Sequence, residues 1–166
     1  MVRRYYRRRS YVNRDKYSVE NTVCTTPSSG SWTSVAATPE TQASKQFSVS
    51  VIPPSDIQGM RKVKHLTLSF SSESDTRYLF ALVYVPEGYD PNFINVPLLG
   101  QPGALYEPNQ YVMASGTLDF TGGPLRIRTP LSRNLNSGDQ IFLILAQTDD
   151  RNTAVYLNIQ YAITLQ

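Results

Sequence analysis

One cysteine and one histidine in 166 residues leave little room for the chemistry those side chains usually carry. Cys24 has no second cysteine to bridge, so a small disulfide-stapled scaffold is excluded and the fold must stand on packing. His65 lies in RKVKHLTLSF with no serine or cysteine nucleophile patterned around it. A histidine-based triad is therefore not expected, and His65 reads as structural. Cys24 and His65 also lack companions at metal-ligand spacing, so no metal centre is expected. The longest apolar stretch, YLFALVYV at 78–85, falls far short of the roughly 20 residues that span a bilayer. No apolar run of secretion-signal length follows Met1, and no Asn-X-Ser/Thr acceptor occurs. The glycine pair in Thr121-Gly122-Gly123-Pro124 reads as a turn with no helix after it, not as a phosphate cradle. Neither an enzyme, a cofactor nor membrane insertion is expected.

What the chain has in quantity is β-forming residues. Thr, Val and Ile number 14, 13 and 8, the hydrophobic fraction is 40%, and long helical windows are missing. Branched side chains are stiff and pack well on a pleated surface, which makes the class all-β. The length suits one domain with a real core.

Charge is uneven. Residues 1–16 hold seven Lys/Arg against one Asp, and the remainder holds nine against twelve acids. In MVRRYYRRRSYVNRDK, the basic residues Arg3, Arg4, Arg7, Arg8, Arg9, Arg14 and Lys16 surround Tyr5, Tyr6 and Tyr11 without an apolar period. Guanidinium groups match phosphate oxygens, and tyrosine rings offer faces to unpaired bases, so this segment reads as a nucleic-acid arm. A solubilising or nuclear-import tail is the alternative.

From Tyr17 on, eight strands are predicted, near 17–26, 45–52, 60–71, 77–86, 109–118, 124–129, 139–147 and 154–165, separated by turn chemistry. Acids at Glu73, Asp75, Asp119, Asp149 and Asp150 fall in turns, where they solvate a loop or, alternatively, meet calcium at a subunit contact. Trp32 reads as a packing anchor for the first long loop. Eight antiparallel strands wind into a jelly roll with sheets 1-8-3-6 and 2-7-4-5. The second strand alternates, with Phe47, Val49 and Val51 inward and Gln46, Ser48 and Ser50 toward solvent. The fourth and seventh strands are apolar on both faces and become neighbours in one sheet, so their outer face needs cover. The 22-residue connection from Glu87 to Pro108, with Tyr89, Phe93, Ile94, Leu98 and Leu99, is the candidate cover or subunit interface. The other sheet would turn Lys62, Lys64, Arg126 and Arg128 outward beside Tyr156, Asn158 and Gln160, a second candidate nucleic-acid surface. Val63 and the set Leu66, Leu68 and Phe70 have opposite parity, which predicts a β-bulge near Lys64-His65.

GMRKVKHLTLSF (59–70), YVPEG (84–88), LYEPNQYVMASG (105–116) and PLRIRTPLSRNLNSGDQIFLILAQ (124–147) together resemble capsid proteins of small circular single-stranded DNA viruses that encode a replication initiator, in a circovirus-like version. The resemblance spans roughly residues 59–166 in order, with LYEPNQ and SRNLNSGD its most specific parts. It implies a single jelly roll, about sixty copies in the smallest icosahedral shell, and an arm that lies on single-stranded DNA and serves nuclear import. The implied partners are further copies of the chain, the genome, host import machinery and a host-cell receptor. The implied locations are the virion and, during assembly, the host nucleus. A capsid subunit of a small RNA satellite virus is the nearest alternative. A jelly-roll carbohydrate-binding module is a more distant one, because the aromatics alternate into predicted cores or lie in the arm.

Overall fold

The computed structural model describes residues 17–26, 32–39, 41–97, 110–130, 132–149 and 153–165. Among them no α-helix occurs; two five-stranded antiparallel sheets face each other. The strands are β1 (Ser18–Thr25), β2 (Thr33–Val35), β3 (Ser44–Ile52), β4 (Arg61–Ser72), β5 (Arg77–Val85), β6 (Tyr111–Asp119), β7 (Leu125–Arg128), β8 (Arg133–Leu135), β9 (Gln140–Gln147) and β10 (Val155–Leu165). The first sheet runs β1-β10-β4-β7, with β8 also on β4, and the second runs β2-β3-β9-β5-β6. Leaving out β2 and β8, this is the jelly-roll order expected from the sequence. The expected count of eight is corrected to ten, because β2 and β8 are three-residue pieces, too short to show a period, that pair at sheet margins.

The main core lies between the sheets, where Phe47, Val63, Leu68, Phe70, Leu82, Leu143 and Ile159 are buried. Trp32 seals one end, its ring 5.9 Å from Phe47 and 6.1 Å from Tyr78, with Nε1 donating to the Thr153 carbonyl. The parity conflict in β4 is resolved by a bulge. Gln160 pairs with Thr67 and Ala162 with Lys64, so β4 spends one residue more than β10 over the same interval. His65 takes up the excess with φ 55°, exposed to solvent, and Val63, Leu66, Leu68 and Phe70 all reach the core.

A second, smaller core covers the outside of the other sheet. Ala81, Val83 and Val85 of β5 and Ile144 and Ala146 of β9 are buried under Ile94 and Val96, with Phe93 packed alongside. The loop after β5 is therefore an intrachain cover, the first of the two roles expected of it, and Ile94, 4% exposed, is packed on its own chain. Phe93 is half-buried, Tyr89 stands exposed, and Leu98 and Leu99 lie outside the described residues.

Two glutamines clamp this cover. The Gln46 amide donates to the Ile94 carbonyl and accepts from the Ile94 N–H at 2.7 Å. Gln110 treats Asn92 the same way, at 3.1 and 3.0 Å. Gln46 is fully buried, which corrects its expected place on a solvent face: alternation marked it polar, but the cover lies over it. Each amide satisfies both main-chain groups of a loop residue, as a neighbouring strand would.

The motif residues converge at the opposite end of the sandwich. Buried Asp139 accepts from the Tyr84 hydroxyl at 2.8 Å, the Asn136 N–H at 2.8 Å and the Glu87 N–H at 3.3 Å. Burial first, and the bond to Asp139 next, hold the Tyr84 hydroxyl protonated above the usual tyrosine range. Arg133 stacks 4.0 Å over the Tyr84 ring and 5.8 Å over that of Tyr111. Arg61, also buried, donates to the carbonyls of Pro53 and Asp139, both at 2.9 Å. Gly138 has φ 79°, and a Cβ there would run into the Glu87 side chain.

Replacing Gln46 with Leu leaves two buried main-chain groups of Ile94 without partners, at about 1–3 kcal/mol each. Denaturant unfolding should show a loss of about 2–6 kcal/mol, whereas exposed Thr117→Ala should stay within about 0.5 kcal/mol. Equal, small effects would mean that the cover is not held by the glutamine.

Candidate nucleic-acid interface

The outward face of the first sheet is built from in-register rows. Arg126 pairs with Ser69 and Ser69 with Asn158; Arg128 pairs with Thr67 and Thr67 with Gln160. Beyond the bulge the pattern resumes, with Lys64 opposite Ala162 and Lys62 between Thr164 and Asn134. The bulge keeps both lysines on the side of the arginines; unbroken alternation would have turned one set inward. Arg126 and Arg128 are exposed, and Lys62 and Lys64 are half-buried at the stem, as suits long side chains that carry their charge to water. The positions facing outward on β1, β4, β7, β8 and β10 hold four cations and no carboxylate. Tyr156 stands at one margin, exposed, its hydroxyl donating to Glu73 at 3.1 Å and so held protonated above the usual range.

Small side chains on central β4, namely Thr67, Ser69 and Ser71, lie in register between the arginines of β7 and Tyr156, Asn158 and Gln160 of β10. Cations along one wall and hydrogen-bonding or aromatic groups along the other suit an extended polyanion with exposed ring systems. The chain enters the fold on this same face. Tyr17, on the parity of Val19, lies under Lys64, whose Nζ is 5.0 Å from the ring centroid. The arm residues Arg3, Arg4, Tyr5, Tyr6, Arg7, Arg8, Arg9, Arg14 and Lys16 lie outside the described residues; Tyr17 marks where they join.

Beside Tyr17 a cleft of about 760 Å³ is lined by Glu20, Ser55, Ile57, Arg61, Tyr161 and Leu165 among others. Burial first, and then Glu20, raise the Tyr161 hydroxyl above its ordinary range, while Arg61 opposes them. The charges there are mixed and Arg61 is already engaged by carbonyls, so the cleft is a poorer polyanion site than the open face. Among the described residues no group of three His, Cys, Asp or Glu gathers as a metal site would require. Asp119 is occupied locally: it caps the 3₁₀ turn at Phe120–Gly122 through Thr121 and pairs with Arg77 at 3.1 Å. Those bonds lower its carboxyl below the usual range, that from the Thr121 hydroxyl most of all.

No protein-family model and no curated protein matches the chain. Among solved structures, a chain from the structure of infectious bursal disease virus Gx strain is similar over 88% of this chain and 40% of that one, at 11% identity and a TM-score of 0.18. This chain thus spans less than half of its structural neighbour, and so weak a likeness carries no argument about function.

Because the four cations stand on the outer face, away from the core between the sheets, removing them should spare the fold. The combined variant Lys62→Gln, Lys64→Gln, Arg126→Gln and Arg128→Gln should keep its circular dichroism and lose no more than about 2 kcal/mol in unfolding, about 0.5 per surface site. A collapse of the spectrum would show that the face is structural instead.

Proposed function

We propose that the chain is a self-assembling viral capsid subunit that holds single-stranded DNA against the β4/β7/β10 face and its basic arm. The observation that carries this reading is the asymmetry of the sandwich: one sheet is capped by its own loop, and the other presents four cations, no in-register acid and the root of the arm on one open face. A subunit that meets a polyanion on one side and solvent or neighbours on the other requires that division of labour. The jelly-roll strand order is compatible with it, though such folds serve many functions. The motifs at 59–70, 84–88, 105–116 and 124–147 supply the likeness to circovirus-like capsids, and with it the DNA genome, the icosahedral shell and nuclear assembly. On this reading the chain is not an enzyme and needs no cofactor.

Charge arithmetic divides the work. Seven basic groups per arm, in about sixty copies, give about 420 positive charges, which a kilobase-length strand with one charge per nucleotide exceeds. The sheet face adds four per subunit, and small cations make up the rest.

The test is binding of unstructured single-stranded DNA by unassembled protein across a salt series. At about 0.7 per phosphate contact, the seven arm cations should contribute a log-log slope of about −5, and the four sheet cations about −3 more. Deleting residues 2–16 should remove the larger part, and the four-site variant the smaller. Unchanged affinity and slope in both variants would overturn the nucleic-acid reading. Electron microscopy of the purified chain should show uniform small shells, and nuclease digestion of their content should show DNase sensitivity; RNase sensitivity would point to an RNA virus instead.

A further inference from the structure

The two sheets have four margins, and three of them are blunted against further pairing. β2 has three residues, and β8, which follows β7 along β4, has three. β7 has four, carries Arg126 and Arg128, and is entered through Pro124. β6 is interrupted, since Leu82 pairs with Ala114 and Val83 with Val112, which leaves Met113 as an extra residue. Short length, charge, proline and bulges are the devices by which edges avoid other chains.

β1 has none of these but one charge. It pairs with β10 without a register shift from Ser18 to Thr25, contains no proline, and has Glu20 as its single charged residue. Among the described residues β10 is its one strand neighbour. It also carries the two most exposed large apolar side chains described, Val19 at 75% and Val23 at 65%. A long, regular edge with outward valines is open to a further strand.

We propose that β1 pairs antiparallel with β1 of a second copy, about a two-fold axis through Asn21. Self-complementarity selects this occupant and this register. Centred on Asn21, each Val19 lies opposite Val23 of the second copy, Glu20 lies opposite Thr22, and Asn21 faces itself. Centring on Glu20 would set two carboxylates against each other, and centring on Thr22 would leave each Val23 opposite Asn21. A centre between residues would turn the outward face of one copy to the inward face of the other. With the axis perpendicular to the sheet, two five-stranded sheets become one of ten strands, and both cationic faces look the same way. The pairing rests on the self-assembly part of the reading above and not on its nucleic-acid part.

The test is disulfide cross-linking of the full-length protein, mapped by peptide mass, with folding checked by circular dichroism. Residues directly opposite on antiparallel strands have Cα atoms about 4.5–5.5 Å apart, within disulfide reach. Asn21→Cys should therefore cross-link to itself in most chains. Glu20→Cys would be two steps out of register, about 8 Å apart, and should yield at least fivefold less. Val19→Lys with Val23→Lys should weaken the two-fold pair at least tenfold in sedimentation, and Val19→Lys with Val23→Glu should bring it back to within about threefold of the parent. Equal cross-linking at both sites, or no recovery on charge reversal, overturns the register. Shells that form and bind DNA while Asn21→Cys stays uncross-linked overturn β1 pairing and leave the capsid reading intact. A protein that remains monomeric under all conditions overturns both.

Discussion

One extra residue in β4 sets the chemistry of a whole face. With His65 in the left-handed region, Val63 and Leu66 both point into the core although their spacing is odd. A non-glycine residue adopts that conformation only at a cost of order 1 kcal/mol, which burial of Leu66, Leu68 and Phe70 offsets several times over. Without the bulge, either Val63 would be turned to water or the three large side chains beyond it would be. The same shift brings Lys62 and Lys64 to the side of Arg126 and Arg128. Core packing and the cationic face are two consequences of one backbone irregularity.

The opposite sheet solves a different problem. β5 and β9 are apolar on both faces, and the loop after β5 closes over them with Ile94 and Val96. Apolar contact alone would leave main-chain groups of the loop without partners. Gln46 and Gln110 provide those partners, each giving one donor and one acceptor to a loop residue. The motifs behind the resemblance act at the other end, where Asp139, Tyr84, Glu87, Arg133, Tyr111 and Arg61 join loops from both sheets. Their chemistry is architectural: they fix where the loops sit, and the cationic face is left to residues of simple outward parity.

Much of this was legible in the residues, for a physical reason. Strand positions follow from alternation and turn formers, so all eight expected strands lie within two residues of their expected bounds at either end. The bulge was legible because a parity conflict inside one apolar strand has few other solutions. The outward cations followed from strand order plus parity. Alternation fails where a third layer arrives: it marks Gln46 polar and hence exposed, and cannot know that residues 92–97 cover it. Asp139 sits in Asn136-Ser137-Gly138-Asp139, where turn chemistry accounts for every residue and hides a buried carboxylate. β2 and β8 are shorter than any period.

In the proposed function the polyanion lies along the open β4/β7/β10 face. Ultraviolet cross-linking of single-stranded DNA to the full-length protein, with adducts mapped by mass spectrometry, tests it directly. Adducts are expected in the arm, at Tyr17 and Tyr156, and in the peptides holding Lys62, Lys64, Arg126 and Arg128. Adducts gathered instead on β2, β6 or the loop at 87–97, with the β4 and β7 peptides unmodified, would contradict the account.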